Sequence, residues 1–325
     1  MPRHVIIDTD PGVDDALALI LALQSPELCV DAITTVSGNV HVDLATQNAL
    51  TVLALFPPER RPPVARGADR PLVRLLSAAA HVHGDDGLGG VSRLRTAAGQ
   101  PRYPAANVTL PSPDAVACML DLIRRSPGEL TLIALGPLTN LAQAVRRDAQ
   151  AFRRLAEIVI MGGAVTVPGN VTPVAEFNIY IDPEAAQILF ASGIPITLIG
   201  LDVTERVRLT AEMIDQYVDP TAASLSQFVV DCTAHTLQFS SRVERPAGMA
   251  MHDPLAVGAL IDPTILHTVP MSVQVETKGE LTTGMLVTDR RPLHTALKPP
   301  ANVQVALEVD AGRFLELFLH RLQRP

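Results

Sequence analysis

The feature that most constrains the fold of this chain is an alternation of short apolar runs with segments of helical spacing, from one end of its 325 residues to the other. The apolar runs are rich in valine and isoleucine, which favour strands. Because consecutive positions are apolar, both faces of each strand are expected to be buried, as in a parallel sheet covered by helices. The predicted strands span residues 5–7, 30–36, 130–135, 158–161 and 194–199, and the predicted helices span 14–23, 42–55, 138–146 and 183–191.

Given the usual size of a domain, a length of 325 residues suggests about two domains. However, no change of composition marks a boundary and no internal repeat is present, so we predict one α/β domain over residues 1–325. Two segments interrupt the alternation: a glycine- and proline-rich loop at about 81–113, and a helical region at about 219–250 that we expect to be mobile.

The charge and composition exclude several classes of protein. The net charge is −8, which argues against a nucleic-acid partner because binding to phosphates needs a basic face. The longest apolar run near the start is far shorter than the roughly 20 residues of a membrane span, and the first strand begins without a signal-peptide pattern. Cys29, Cys118 and Cys232 are isolated and odd in number, which predicts no disulfide framework. We therefore expect a cytoplasmic protein without a membrane partner.

Four carboxylates lie together near the N-terminus, at Asp8, Asp10, Asp14 and Asp15. They fall at a strand end, across a Pro-Gly turn and at a helix start, where negative charge is favoured. Side-chain alternation predicts that Asp8 and Asp10 lie on one side of the strand. A simple alternative is that Asp14 caps the helix and the others are solvated. If all four converge, their repulsion requires a cation, and hard oxygen ligands favour Ca²⁺ or Mg²⁺ over zinc.

This segment and six others resemble the nucleoside hydrolases, in the branch that prefers inosine and uridine. The matching motifs, in the order of that family, are DTDPGVDDA at 8–16, VSGNV at 36–40, HG and GL within 83–88, LGPLTN at 135–140, MGG at 161–163, GN and PVAEFN within 169–178, and HDP at 252–254. The resemblance implies an open, mostly parallel, Rossmann-like sheet with its site at the carboxyl ends of the strands.

The resemblance also implies a Ca²⁺ cofactor and the residues that bind it. The implied ligands are Asp10, Asp15, Asp253 and the backbone carbonyl of Leu135, where the identity of the side chain is unimportant. The remaining positions would go to a water and to the ribose 2′- and 3′-hydroxyls.

The same resemblance implies a ribonucleoside substrate, with inosine, uridine and cytidine as the expected compounds. It places the following residues around the sugar: Asp14, Asn39, Asn170, Glu176, Phe177 and Asn178. In an extended segment, Glu176 and Asn178 would point the same way. We place His83, His235 and Phe239 in the pocket that receives the base.

Hydrolysis of an N-glycosidic bond passes through an oxocarbenium-like sugar, so the site must stabilise positive charge and supply water from the opposite face. Carboxylates can stabilise that positive charge. We expect Asp10 to take the proton from that water and His252 to protonate the departing base.

The preference for a base is less constrained by the sequence. The purine-specific branch stacks its base between tryptophans, and this chain has none. Related proteins of the other branch often carry tyrosines before the His-Asp motif, but no tyrosine follows Tyr217 here. Members of the family are commonly homotetramers or homodimers, and we expect the same of this chain.

Two other classes of protein share part of this sequence pattern. Phosphohydrolases of the haloacid-dehalogenase type also have Asp-x-Asp after a first strand, but they need a positioned Lys or Arg and a later acidic element. The only lysines here are Lys278 and Lys298, and that element is missing. A non-catalytic nucleoside-binding protein would need an incomplete set of metal ligands, whereas Asp10, Asp15 and Asp253 are all present.

Overall fold

A computed structural model describes residues 1–76, 80–107, 114–243, 247–291 and 299–323 of the chain. Its strands are β1 (Arg3–Thr9), β2 (Leu28–Thr35), β3 (Val64–Arg66), β4 (Leu130–Ala134), β5 (Glu157–Met161), β6 (Ile196–Ile199), β7 (Arg208–Leu209), β8 (Met249–Ala250), β9 (Leu266–Met271), β10 (Val273–Val275), β11 (Leu286–Thr288) and β12 (Val303–Val309). Eight of these form the central sheet, in the order β3-β2-β1-β4-β5-β6-β12-β9, while β7 pairs with β8 and β10 with β11. Within the central sheet all neighbours pair in parallel except β9, which runs antiparallel to β12. The α/β fold with a mostly parallel sheet is confirmed.

Helices lie on both faces of this sheet. They are α1 (Val13–Gln24), α2 (Val42–Leu53), α3 (Ala80–His83), α4 (Ala115–Arg125), α5 (Thr139–Phe152), α6 (Phe177–Ile181), α7 (Pro183–Phe190), α8 (Leu201–Thr204), α9 (Ala211–Tyr217), α10 (Ser224–Val243), α11 (His252–Ile261) and α12 (Ala311–Leu322). Short 3₁₀ turns occur at Pro58–Arg60, Val91–Arg93 and Pro263–Ile265. Among the described residues, no helix is long and apolar enough to cross a bilayer.

The central strand β1 shows why the strands are apolar at consecutive positions. Val5 and Ile7 pack into one core with residues of α1, α2, α11 and α12. Ile6, between them, packs into a second core with residues of α4, α5 and α7. All three side chains are completely buried. A strand with a hydrophobic core on each side has no solvent-facing position, so its sequence loses the polar alternation of a half-exposed strand.

The order of the strands determines where a ligand can bind. From β1 the chain moves outward to β2 and β3, and then returns to place β4 on the other side of β1. This reversal opens a crevice at the carboxyl ends of β1 and β4, the usual binding position in open α/β sheets. Asp10 follows β1 directly, and Leu135 follows β4 directly.

The two irregular segments contain regular structure that sequence patterns did not predict in detail. The stretch 81–113 contains the end of α3, a 3₁₀ turn and an isolated bridge between Arg95 and Pro101, while residues 108–113 lie outside the described part. The stretch 219–250 is mostly the helix α10, followed by β8, with residues 244–246 outside the described part. The mobility of this region stays a prediction.

Candidate active site

The acidic motif folds into a tight connection between β1 and α1. Gly12 precedes the helix, and Asp15 accepts a hydrogen bond from the Gly12 N–H at 2.9 Å. The other contacts of the Asp15 carboxylate come from Thr9 Oγ1, from the Asp10 N–H at 3.3 Å and from Asn39 Nδ2 at 3.2 Å. Asp15 is therefore a helix-capping residue held rigidly by four donors, and its carboxylate is fully buried.

The carboxylate of Asp10 lies so close to Gly38 and Gly136 that a side chain at either position would collide with it. Its Oδ2 accepts a hydrogen bond from the Asn39 N–H at 2.5 Å. A Cβ added at Gly136 would lie 2.5 Å from Asp10 Oδ1, and one added at Gly38 would collide with Asp10 Oδ2. The glycines of two different loops, after β2 and after β4, thus give the carboxylate room to approach the backbone.

Three carboxylates converge closely enough to share a metal ion: Asp14, Asp15 and Asp253 each offer an oxygen within 4.8 Å of the others. Asp253 lies in the first turn of α11, which brings it to the same place as the start of α1. The sequence prediction placed Asp10, and not Asp14, in this set. In the structure Asp10 lies beside the three, close enough for its charge to act on Asp253.

Burial raises the pKa of three carboxyl groups in this cluster. Desolvation, followed by repulsion from Asp15, raises the pKa of Asp10 and of Asp253 well above the usual range of a carboxyl group. The same two causes raise the pKa of Asp14 to about 7. Across the described ranges, no lysine or arginine forms an ion pair with these residues, and the imidazole of His83 lies with its Nδ1 3.8 Å from Asp14 Oδ1.

The donor set fits a hard divalent cation. Asp10 Oδ1 and Asp14 Oδ1 are buried and have no hydrogen-bond partner in the described part of the chain. Buried carboxylate oxygens without a donor are costly, and a cation coordinated by oxygen would satisfy them. The four acids Asp10, Asp14, Asp15 and Asp253 therefore have the chemistry of a site for Ca²⁺ or Mg²⁺.

Asp8 does not belong to this cluster, so the prediction that all four acids of the motif converge is wrong. Strand β1 ends at Thr9, and the alternation that was expected to align Asp8 with Asp10 ends there as well. Asp8 instead accepts hydrogen bonds from Thr34 Oγ1 at 2.5 Å and from Asn140 Nδ2 at 2.7 Å. Its burial raises its pKa to about 7. Its role is to join β1, β2 and α5.

A cavity of about 320 Å³ opens above the acidic cluster. This volume is at the lower end of the range for small-molecule pockets. Most of the residues predicted to bind substrate line it: Asp14, Asn39, His83, Asn170, Glu176, Phe177, Asn178 and Phe239. Leu135, His252 and Asp253 line it as well, whereas Asp10 and Asp15 are not among the lining residues.

One wall of the cavity carries amide and carboxylate groups. Asn178 Nδ2 donates to the Leu135 carbonyl at 2.6 Å, which ties the start of α6 to the end of β4. Glu176 is the N-cap of α6, and it accepts from the backbone N–H groups of Asn178 at 2.9 Å and Gly163 at 2.8 Å. Glu176 thus begins a helix, so the segment is not extended, and both Glu176 and Asn178 line the cavity. Asn170 Oδ1 secures the same helix by accepting from the Phe177 N–H at 3.0 Å.

The opposite wall is more apolar and carries the histidines. His252 begins α11, and its Nδ1 is 2.8 Å from Thr204 Oγ1. His83 Nδ1 accepts from the Val13 N–H at 3.2 Å, so a neutral His83 carries its proton on Nε2. Phe239 lies on the face of α10 that borders the cavity, but His235 is exposed and does not line it. The prediction of His235 as a pocket residue is thus corrected: one turn further along α10, Phe239 takes that place.

Sequence reasoning missed one charged residue of this wall. Glu205 follows α8, lines the cavity and lies with its Oε1 4.0 Å from His252 Nε2. The only sequence signal is its position directly after an apolar strand and a short helical turn, where carboxyl-end loops begin.

Comparison with known proteins agrees with this geometry. The family profile described as inosine-uridine preferring nucleoside hydrolase matches residues 5–316. The chain belongs to the nucleoside hydrolase family. It is 40% identical to the pyrimidine-specific ribonucleoside hydrolase RihA of Shewanella sp. (strain ANA-3), over 99% of this chain and 96% of that protein. It is 41% identical to RihA of Salmonella gallinarum (strain 287/91 / NCTC 13346), over 99% of each.

A solved structure extends the comparison. The purine-preferring ribonucleoside hydrolase from Gardnerella vaginalis has a TM-score of 0.88 and 34% identity, covering 98% of each chain. The chain is thus a hydrolase of N-glycosidic bonds in ribonucleosides, and its relatives include proteins named for either class of base.

The space left by Gly136 gives a direct test of the position of Asp10. In Gly136→Ala, the new methyl group would lie 2.5 Å from Asp10 Oδ1 and displace it. We expect kcat/KM for nucleoside hydrolysis to fall by about 100-fold, since small misplacements of a reacting group have costs of this size. Steady-state kinetics measures the effect.

The matched control is Gly312→Ala in α12, where the nearest atom is Asp310 Oδ1 at an ordinary 3.7 Å. It should retain the activity and the circular dichroism spectrum of the unsubstituted protein. A fully active Gly136→Ala enzyme would contradict the placement of Asp10.

Proposed function

We propose that this hydrolase cleaves pyrimidine ribonucleosides, uridine and cytidine first, to the free base and ribose, with Ca²⁺ bound at the acidic cluster. The observation that carries the proposal is the convergence of Asp14, Asp15 and Asp253 within 4.8 Å directly below a cavity of about 320 Å³. The pyrimidine-specific names of relatives at 40% and 41% identity support the choice of base.

The cation would be held by Asp15 and Asp253, together with the unpartnered oxygens of Asp10 and Asp14 and the carbonyl of Leu135. Calcium suits this set because it accepts many oxygen ligands in a flexible geometry. When bound, it would supply a fixed positive charge that orients water and sugar hydroxyl oxygens. Because Asp14 also lines the cavity, its carboxylate is available to a hydroxyl of the ribose.

The cavity wall that carries Asn170, Glu176 and Asn178 binds and orients the sugar. Asn178 uses its Nδ2 on the Leu135 carbonyl, which leaves its Oδ1 to accept from a ribose hydroxyl. Asn39 and Asn170 line the cavity beside it. Since Glu176 already accepts three backbone N–H groups, its main role is to fix this wall, and its negative charge also favours a cationic sugar.

Asp10 accepts the proton of the attacking water. Its burial and the adjacent acids give it a high affinity for a proton, which is the property of a general base. The carboxylates of Asp14 and Asp253, on the same side, stabilise the positive charge that develops on the ribose ring as the bond to the base breaks.

His252 protonates the departing base. Its Nδ1 is fixed by Thr204 Oγ1 at 2.8 Å, so Nε2 is the nitrogen available to the cavity. A base that leaves as an anion is a poor leaving group, and proton transfer from a positioned imidazole removes that barrier.

Purine nucleosides, with inosine first, are the second candidate substrates. The 34% identical hydrolase from Gardnerella vaginalis is named as purine-preferring and shares the fold over 98% of both chains. The absence of tryptophan from the sequence opposes stacking of a purine between indole rings. A homo-oligomeric state and a cytoplasmic location stay predictions from the resemblance.

The proposed preference is tested with a panel of uridine, cytidine, inosine, adenosine and guanosine, compared by kcat/KM with Ca²⁺ present and after exhaustive EGTA treatment. We expect the two pyrimidine nucleosides to be the best substrates, and activity to be lost with EGTA and restored by Ca²⁺. A purine nucleoside as the best substrate would overturn the base assignment. Unchanged turnover in EGTA would remove calcium from the proposal.

The role of Asp10 is tested by Asp10→Asn, which keeps the shape of the side chain and one oxygen to accept from the Asn39 N–H. We expect kcat to fall by about 10²- to 10⁴-fold, the usual contribution of a general base, while the affinity for ribose changes little. The matched control is Asp121→Asn on the exposed side of α4, which should be fully active. Turnover of Asp10→Asn close to that of the control would contradict the assignment.

A further inference from the structure

The base end of the cavity contains one carboxylate that the proposed reaction does not use. Among the described lining residues contributed by the end of α8, by α10 and by β8, Glu205 is the only acid. Its neighbours there are apolar or weakly polar, and they include Phe239, Met249 and Ala250. Apolar groups can pack against the faces of a nucleobase, but only a polar group can distinguish the hydrogen-bonding edges of two bases of the same size.

An ion pair with Arg208 holds the Glu205 carboxylate in place. Arg208 Nη2 forms an ion pair with Glu205 Oε2. The same guanidinium donates to the Gly248 carbonyl at 3.0 Å, and that carbonyl also accepts from Ser240 Oγ of α10 at 2.8 Å. Arg208 is largely buried, with 15% of its side chain exposed, whereas the glutamate is 39% exposed. The arginine therefore anchors Oε2 and leaves Oε1 toward the cavity.

Oε1 lies beside the proposed acid for the leaving group. It is 4.0 Å from His252 Nε2, which is too far for a hydrogen bond between them but close enough for both to contact one edge of a small molecule. The pair presents a donor, the imidazole N–H, next to an acceptor, the carboxylate oxygen. Uracil presents the complementary pair on adjacent atoms, because its O2 accepts and its N3–H donates. Cytosine has an acceptor at both of these positions.

We propose that Glu205 reads the N3 position of the base and makes this hydrolase prefer uridine to cytidine. This inference rests on the proposed function, since it takes His252 as the residue that faces O2 of the base. With uracil, Oε1 accepts a hydrogen bond from N3–H. With cytosine, the carboxylate faces the N3 lone pair, and the interaction becomes repulsive. The preference for uridine then arises both from the hydrogen bond to uracil N3–H and from the repulsion of the cytosine N3 lone pair.

The test compares uridine, cytidine and 3-methyluridine in the unsubstituted enzyme and in Glu205→Gln. A hydrogen bond to a charged group contributes enough to give about a 10- to 100-fold preference in kcat/KM for uridine over each of the other two. In Glu205→Gln, the side-chain oxygen can still accept from Arg208, and the new amide can donate to cytosine N3. We therefore expect the ratio of uridine to cytidine to fall at least 10-fold, through a gain on cytidine as well as a loss on uridine.

Two further variants separate this reading role from a general effect on folding. Glu205→Ala should bring kcat/KM for 3-methyluridine to within about threefold of that for uridine, because both the acceptor and the obstacle to the methyl group are removed. Glu129→Gln makes the same chemical change at an exposed residue before β4, at the opposite end of the sheet, and should keep the original ratios.

The outcomes are distinct. Ratios in Glu205→Gln and Glu205→Ala equal to those of the unsubstituted enzyme would overturn the role of Glu205, even if absolute rates fall. An unsubstituted enzyme that hydrolyses uridine and cytidine equally would also overturn it. Failure of that enzyme to hydrolyse any pyrimidine nucleoside would instead overturn the proposed function on which the inference depends.

Discussion

The arrangement of this site follows from one constraint, the burial of four carboxylates in a small volume without a lysine or arginine of the described chain paired to them. Asp10, Asp15 and Asp253 are at most 3% exposed and Asp14 is 9% exposed. The raised pKa values of Asp10, Asp14 and Asp253 express the cost of that burial and of the mutual repulsion of the acids. The fold supplies partial compensation, through backbone N–H donors to Asp15 and Asp10. A divalent cation would supply the rest.

The topology of the sheet explains how residues far apart in sequence reach this point. Asp10 follows β1, Leu135 follows β4, and Asn178 follows the loop after β5, so neighbouring parallel strands deliver their next residues to the same edge. Asp253 arrives differently, in the first turn of α11, which packs in the same core as α1. The site therefore depends on packing between two helices as well as on the sheet.

Much of the fold could be predicted because doubly buried strands have a distinctive sequence, and the predicted strands and helices of the first 200 residues match observed elements. The C-terminal part was harder. Strand β12 inserts next to β6 and carries exposed glutamine and glutamate side chains, while β9 is a half-exposed edge strand. Neither has the continuous apolar pattern that identified the others.

The site was predictable where chemistry forces several unusual residues together, and less so where a side chain depends on local geometry. The orientation of Asp8 was missed because the strand ends one residue after it, and that of His235 because helix phase decides which side chain faces the cavity. Glu176 lies at the cavity wall, and its role as the N-cap of α6 had no sequence pattern that would have predicted it. Glu205 was missed because a single glutamate after a strand carries no pattern.

We propose that the buried acids are a cation site whose mutual repulsion is relieved by a divalent ion. The most direct measurement is calorimetric titration of the chelator-treated protein with Ca²⁺ at pH 7, in two buffers of different ionisation enthalpy. Burial and mutual repulsion raise the pKa of Asp14 to about 7 and raise the pKa values of Asp10 and Asp253 well above the usual range of a carboxyl group, so binding of the cation should compete with protons. We expect one bound Ca²⁺ per chain, release of at least one proton and weaker binding as pH falls. Saturable binding without proton release, or no binding at all, would contradict it.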